Sequence, residues 1–543
     1  MSFFLEVELI SYLFINYIIF RLGYFDDLTA YQQTVQTLSA ELDSPKSSTS
    51  ASKASTNVST RIPSSSHQLI FQDVDDSIVV SSRSLRQEAH SICITKPPST
   101  FLLRTVSGQT PGSSPSSKQV QEELMTLEPT QVLSSVEVCG DTSLGSTRLV
   151  QISCSSQTGD VAMNVGLLVP NSEATVQQVC SLLADAHELP IHHLQANFAF
   201  KAARKTHYIS SSVGTDPQPT RFGGPCSVFQ ALFWHVNLET TPTVSFIRSA
   251  AALASRPSEQ QTLLNLVREL SSKSKSIPPD LNSVPVPGSV LSLLKSFPSI
   301  RMTLADLLAL APINQPRIYT SASSPQIQSK SVSLLVRLVP GGLLSSHLEE
   351  ETKTNQDYDT LAMYIIPSRF SQLTRTLLPN LPLNSKPIAP VVCIATGSGV
   401  APFRAFLQQI GHIRKQYAHA PIYLFFGCRN TNMDFFFKQE MELAQAEGFL
   451  KGLYVAYSRP TPESDSISQY VQDKLQEEQS LIKDLLIQHQ GTVMICGSKQ
   501  MGKHVRNTLM NVLSEKHPNK QNHQDLDVID DMINQGRYIE ETW

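Results

Sequence analysis

The sequence is short of the features that mark several function classes. Its eight cysteines (Cys93, Cys139, Cys154, Cys180, Cys226, Cys393, Cys428 and Cys496) form no CxxC pair and have no paired histidines nearby. That spacing argues against a zinc module or a cysteine-ligated iron-sulfur cluster, so no metal site is expected and a reducing, cytoplasmic setting fits. Charge of one sign is also lacking, because 43 Lys and Arg face 47 Asp and Glu for a formal net charge of -4. Without a basic excess nothing drives the surface onto a phosphate backbone, and nucleic acid is not an expected partner. Only 17% of residues are charged, against about a quarter in ordinary domains, and Ser with Pro fills much of the gap. Part of the chain is therefore expected to be disordered. Long apolar runs are scarce. Residues 3–20, FFLEVELISYLFINYIIF, come nearest, but Glu6, Glu8 and Asn16 interrupt them. The run Leu9–Ile15 is far short of the roughly 20 residues that span a bilayer. This segment is a candidate for membrane association, for partner binding or for a plain chain start.

At 543 residues the chain has room for about two to four domains. An apolar segment covers 1–43. From 44 to 132 short Ser/Pro-rich runs such as SPKSSTSASKASTNVST and SGQTPGSSPSSKQ predict a disordered linker, since they hold no period that could bury a core. Order is expected from near Leu133. RLVQISC reads as a strand, Ala174–Ala186 as a helix, and VFQALFWHV, FIRSAAALA and QQTLLNLVREL as a helical module broken by proline clusters. The period then returns to two in RIYTSASS (Arg317–Ser324) and SVSLLVRLV (Ser331–Val339), the pattern of an antiparallel sheet or barrel. From Pro390 onward strands and helices alternate, with helices read over Pro402–Gln416, Phe435–Glu447 and Ser466–Gln488. Such alternation predicts a doubly wound parallel sheet.

The strongest local signal is APVVCIATGSGVAPFRAFLQQ, where an apolar strand runs into Gly397-Ser398-Gly399 and then a helix. Glycines let a backbone approach a pyrophosphate, Pro402 suits a first helical turn, and the helix start offers unpaired N–H groups. A plain packing turn would share these features.

Several further segments carry a family resemblance. GSGVAPFRAF resembles the NADPH-binding signature of the ferredoxin-NADP reductase superfamily, in particular its diflavin reductase branch, typified by the NADPH-cytochrome reductases. FFGCRNTNMDFFFKQEM, YVAYSRP, MICGSK and the closing RYIEETW resemble that branch's later segments in the right order, and FPSIRMTLADLLALAPINQPRIYTSASSP resembles its FAD-binding helix and strand. Within the branch, TGDVAMNVGLLVPNSEATVQQVC and the final Glu-Thr-Trp look most like cytosolic NADPH-dependent diflavin oxidoreductases. The resemblance implies an antiparallel FAD-binding barrel over 133–385, a helical connecting insertion at about 171–312, and a doubly wound NADP-binding domain over 386–543.

It also implies roles. Arg317 would hold an FAD phosphate, Tyr319 would stack on the isoalloxazine, and Thr320 would stand where the family usually has Ser near the reactive ring nitrogen. Gly342, Leu343, Leu344 and Ser345 would contact the FAD pyrophosphate. Thr396, Gly397, Gly399 and Arg429 would face NADPH pyrophosphate and ribose. Ser458, Arg459 and Tyr470 would recognise the 2'-phosphate and adenine end. Ser468 stands where the family has Lys, which implies weaker NADPH selection. Cys496 and Glu541 would flank the nicotinamide with Thr320, and Trp543 would cover the flavin and swing aside as a gate. Glu541 replaces the usual Asp, and Ser498 the Asp that commonly follows Cys-Gly.

A flavodoxin-like domain with its FMN loop is not recognisable; SSQTGD (Ser155–Asp160) matches such a loop only superficially. FMN is therefore not expected in this chain, and the resemblance implies a separate electron-acceptor protein of flavodoxin-like, haem or iron-sulfur type, or a small acceptor. The reading is an FAD-containing, NADPH-dependent oxidoreductase. Its rival is a catalytically degenerate relative serving as a binding or regulatory module.

Overall fold

Short alternating segments pair into antiparallel sheets in the computed structural model of the chain. It describes residues 67–71, 98, 100–106 and most of 120–543. Within that last span, 144, 156–159, 184–197, 203–204, 208–226, 272–286, 352–359, 374–377, 379–381, 384–387, 461–466 and 514–526 lie outside the description. The apolar segment 3–20, the serine runs up to residue 66 and most of the SSQTGD loop also fall outside it. Among the described residues no helix is long and apolar enough to cross a membrane.

Strand β1 (His67–Phe71) lies beside a later hairpin, and β2 (Thr100–Val106) pairs antiparallel with β3 (Val120–Thr126). β4 (Glu128–Glu137) follows at once. The expectation of an irregular linker over 44–132 therefore gives way in part. HQLIF, TFLLRTV and VQEELMT are short runs with no clear period of two, set in serine-rich sequence, that nevertheless form strands and pair.

Six strands make the barrel. In sheet order they are β10 (Ser331–Arg337), β5 (Thr147–Ser153), β4, β11 (Thr360–Ile366), β6 (Asn164–Leu168) and β9 (Arg317–Thr320). An antiparallel bridge from Ser321 to Leu334 brings the end of β9 back to β10 and closes the sheet. Every second residue points inward, as the period of two requires: Val150 and Ile152, Val165 and Leu167, Leu334 and Val336, Leu361 and Met363 share one core.

Between β6 and β9 the chain leaves the barrel for a helical module: α1 (Glu173–Leu182), a π-helical turn Ala231–His235, α2 (Val244–Ala252), α3 (Pro257–Ser271), α4 (Val290–Ser296) and α5 (Leu304–Leu310). The hairpin β7 (Phe198–Ala202) and β8 (Lys205–His207), which completes a three-stranded sheet with β1, also falls in this interval. Trp234, Phe246, Leu263 and Leu293 centre its own core. Two buried asparagines pin it where it leaves and rejoins the barrel. Asn171 Nδ2 donates to the Leu232 and Val236 carbonyls, each at 2.7 Å, and Asn314 Nδ2 donates to Val169 O at 2.7 Å and Trp234 O at 3.1 Å. Buried amides bonded on this scale fix one register, because a shifted chain would strand them.

After α6 (Leu343–Glu351) and β11 the period changes, and five strands form a parallel sheet in the order β14 (Leu450–Tyr457), β13 (Ile422–Cys428), β12 (Val391–Thr396), β15 (Thr492–Gly497), β16 (Tyr538–Thr542). Both faces are covered, which is why VVCIAT is apolar throughout rather than alternating. Cys393 and Ala395 face α7 (Ala401–Ile413) and α8 (Lys438–Ala446), while Val392 and Ile394 face α9 (Val471–Glu477), α10 (Lys499–Leu513) and α11 (Asp527–Asn534). The helix read over Ser466–Gln488 is shorter pieces, α9 then Gln479–Lys483 and a π turn Asp484–Gln488. Strand order reverses at β12, with β13 and β14 on one side and β15 and β16 on the other, so a ligand crevice is expected at the carboxyl ends beside β12.

Candidate active site

The glycine turn lies at that crevice. Gly397–Val400 form a single 3-10 turn after β12, and α7 then starts with Pro402 in its first turn. The two glycines are needed for different reasons. Gly397 has φ +52°, with open space around any added Cβ, whereas at Gly399 a Cβ would sit 2.2 Å from the Cys496 carbonyl oxygen. The first suits the left-handed turn, and the second lets the turn press against β15.

A cavity of about 520 Å³ opens over the ends of β12, β13 and β14 and is lined by Thr396, Arg429, Ser458 and Tyr470. Gly397 and Gly399 form the adjoining turn rather than its lining. The Arg429 guanidinium is held by Asp434, with Nε 3.3 Å from Oδ2, while its backbone N–H donates to Oδ1 at 2.7 Å. Asp434 is itself buried. Arg459 is exposed, and its N–H donates to the Arg429 carbonyl at 2.8 Å. Ser468 Oγ donates to the Ser458 carbonyl at 2.9 Å. The residue in the family's Lys place thus ties two loops together instead of offering a cation. Tyr470 stands out into solvent on the cavity rim.

The second cavity, of about 690 Å³, is lined by Thr320 from the barrel and by Cys496, Glu541 and Trp543 from the parallel-sheet domain. All four expected catalytic residues meet there. β15 and β16 put Cys496 opposite Glu541 in the ladder. Burial pushes the Cys496 thiol well up, the Glu541 charge adding to it, so the group is a neutral small side chain. Burial likewise raises the Glu541 carboxyl, against the hydrogen bond it accepts from the Arg369 N–H at 2.5 Å. Thr320 Oγ1 donates to Asn164 Oδ1 at 3.1 Å. Trp543 is anchored by its backbone, its N–H donating to Gly497 O at 3.2 Å and its carbonyl accepting from Lys499 N at 3.1 Å, while its side chain is 59% exposed. The ring thus faces solvent while the strand stays paired.

On the barrel side, Arg317 and Tyr319 alternate with Ile318 and Thr320 along β9. Arg317 is exposed and donates to the Gln315 carbonyl at 3.1 Å. Burial pushes the Tyr319 phenol up to about 12, with the Arg317 charge opposing, so it stays protonated. Near the start of α6, Gly341 has φ +71°. Leu344 and Ser345 are buried, Leu343 packs against the barrel core, and Ser345 Oγ accepts from the Val339 N–H at 2.8 Å. A ligand at this helix start would meet backbone N–H groups near Gly342 rather than these side chains. Tyr319 packs against the barrel core, and β9 meets the larger cavity through Ile318 and Thr320 rather than Arg317 and Tyr319; the backbone N–H groups near Gly342, the glycine turn and the open cavities are what fit FAD on the barrel and NADPH on the sheet.

Three residues escaped the sequence reading as site members. Arg369 holds Glu541 and lines the larger cavity, Asn164 holds Thr320, and Asp434 holds Arg429. Only Asp434 had a local signal, as the acidic residue after FGCR; the other two are brought in by tertiary contacts.

Comparison with known proteins agrees with this arrangement. The family profile described as FAD binding domain matches residues 153–342, and that described as Oxidoreductase NAD-binding domain matches 393–507. The chain is 29% identical to an NADPH–cytochrome P450 reductase of Dictyostelium discoideum over 333 residues, 59% of this chain and 46% of that protein. It is 26% identical to a nitric oxide synthase of Anopheles stephensi, covering 68% of this chain and 28% of that protein. With a methionine synthase reductase of Rattus norvegicus the identity is 25%, over 87% of this chain and 68% of that protein. The chain thus spans less than half the length of the first two relatives. The barrel with its helical insertion, the doubly wound sheet behind it and these matches together make the chain a member of the ferredoxin-NADP reductase superfamily, in its diflavin reductase branch.

Proposed function

We propose that the chain is an FAD flavoprotein that takes electrons from NADPH and passes them to a separate acceptor. The observation that carries the reading is the cavity of about 690 Å³ in which Thr320 of the barrel faces Cys496, Glu541 and Trp543 of the parallel-sheet domain. Bound FAD would supply the redox chemistry, accepting the nicotinamide's hydride as an electron pair and returning electrons to the acceptor.

The chain's own residues would bind, orient and exclude water. Tyr319 would stack on the flavin and Arg317 would hold its phosphate with the fork of its guanidinium. Backbone N–H groups at Gly342 to Ser345 would take the pyrophosphate. Thr396, the Gly397–Gly399 turn and Arg429 would hold NADPH, with Ser458, Arg459 and Tyr470 at its far end. With Arg429 partly neutralised by Asp434 and a serine at 468, selection for the 2'-phosphate would lean on Arg459. Thr320 and the raised Glu541 would give hydrogen bonds beside the nicotinamide, the buried Cys496 would give it a snug neutral wall, and Trp543 would gate it.

The acceptor belongs to this reading too. The names of two relatives tie them to cytochrome P450 and to methionine synthase, which supports a haem or other redox protein as the partner class. A flavodoxin-like or iron-sulfur protein fits the same chemistry. A cytoplasmic place of action fits the scattered cysteines, and association of residues 3–20 with a membrane is a separate proposal. NADPH-driven reduction of ferricyanide by the FAD-loaded protein tests the activity. Turnover is expected; an FAD-loaded protein that leaves ferricyanide unreduced would favour the binding-module reading.

A further inference from the structure

We propose that Arg404, Gln408 and Gln409 of α7 are positioning residues that set the gap across the larger cavity, by clasping the barrel segment just beyond Thr320. The inference rests on the reading above.

Helix α7 runs from the glycine turn, and its side chains reach into the barrel. Arg404 is only 11% exposed and uses its whole fork. Nε donates to both Glu440 oxygens at 3.1 and 2.9 Å, Nη2 to Oε1 at 2.8 Å, and Nη1 to the Ala322 carbonyl at 2.9 Å. The guanidinium lies 4.4 Å from the centre of the Phe437 ring, whose residue takes a left-handed φ of 57° just before α8. Gln408 Oε1 accepts from the Ser324 N–H at 3.1 Å, and Gln409 Oε1 accepts from the Ser324 hydroxyl at 2.5 Å. Ser324 is fully buried. On its other side the segment is tied to the barrel, Ala322 N donating to Ser333 O at 2.7 Å.

These contacts make a continuous path. Cys496 packs on Gly399, Gly399 leads into α7, α7 holds Ala322 and Ser324, and β9 ends at Thr320 beside them. An apolar contact would let the two domains slide, whereas an arginine fork and two half-buried glutamine amides bonded to the fully buried Ser324 fix one register. Transfer between two bound rings demands that register, because reacting atoms must lie about 3–3.5 Å apart and ~1 Å of misplacement can cost about a hundredfold.

The test compares Arg404→Met, Gln409→Leu and Arg404→Lys with the unaltered FAD-loaded chain. Three quantities are measured: the stopped-flow rate of flavin bleaching by NADPH, the FAD content with NADP+ affinity, and amide hydrogen exchange over residues 321–324. The Met and Leu variants are expected to bleach at least about tenfold more slowly at unchanged FAD content and NADP+ affinity, with faster exchange at 321–324. Lys should recover part of the rate, since one ammonium can reach Ala322 O or Glu440 but cannot reproduce the fork. Faster exchange with an unchanged bleaching rate would make these residues merely structural and overturn the proposal. Unchanged exchange would remove the clasp itself. Should Arg404→Met lose FAD, Gln409→Leu decides, and a normal rate in that variant refutes the inference. Failure of the unaltered protein to bleach would contradict the proposed function instead, and is separable because the exchange measurement needs no NADPH.

Discussion

Acidification should loosen the helical module through one residue, His235. Its side chain is 2% exposed, on the π-helical turn between Trp234 and Val236. Burial lowers the imidazole from its ordinary 6.5 to about 4. Above pH 6.5 the group is neutral in both folded and unfolded chains and contributes no pH dependence. As pH falls from 6.5 toward about 4, the unfolded chain takes up a proton that the folded module refuses, so stability is lost and then levels off. Each pKa step is worth about 1.4 kcal/mol, which gives a loss of about 3 kcal/mol over that window. Trp234, buried beside His235, reports the unfolding. A Trp543→Phe background leaves it as the only tryptophan, since the chain has 2. Urea unfolding followed by its fluorescence between about pH 7 and about pH 4 should show a loss in the parent that exceeds the loss in His235→Leu by about 3 kcal/mol. Parallel pH profiles in parent and His235→Leu would refute the reasoning, because the carboxylates that titrate in the same range are common to both.

Two substitutions address the site more directly. Trp543→Ala should ease the use of NADH, raising its kcat/KM by about tenfold, the factor set by ~1.4 kcal/mol of ring stacking that nicotinamide no longer has to displace; steady-state rates with NADH check it, and an unchanged kcat/KM counts against the gate. Gly399→Ala should lower the thermal midpoint and raise the NADPH KM, because its Cβ would lie 2.2 Å from the Cys496 carbonyl oxygen and overpacking of this kind costs about 1–3 kcal/mol. A variant with the parent's melting temperature and KM would show that the turn has more room than its geometry gives it.

Local chemistry made much of this legible in the sequence. VVCIAT followed by GSG and APF carries the buried strand, the left-handed turn and the proline-led helix within the single stretch Val391–Phe403, and RIYT beside SVSLLVR carries the barrel's alternation. What joins them was not legible. Arg369, Asn164 and the Ala322–Ser324 clasp act across gaps of 172, 156 and 82–85 residues, so no local period signals them. Ser468 read as a missing lysine, but its bond to the Ser458 carbonyl depends on how two loops fold together. The strands at 67–71, 100–106 and 120–126 were hidden by composition, being short runs without a clear period of two in serine-rich surroundings. Glu541 shows the same limit on energetics: its acidity is lowered by burial that the pairing of β15 with β16 helps to create.

The most direct test of the central claim is the absorption spectrum of the purified protein before and after anaerobic NADPH, with the released flavin identified by chromatography. The account predicts FAD as the released flavin, bound at about one per chain, with its visible band bleached by NADPH. A colourless protein that takes up no added FAD and shows no response to NADPH would contradict it.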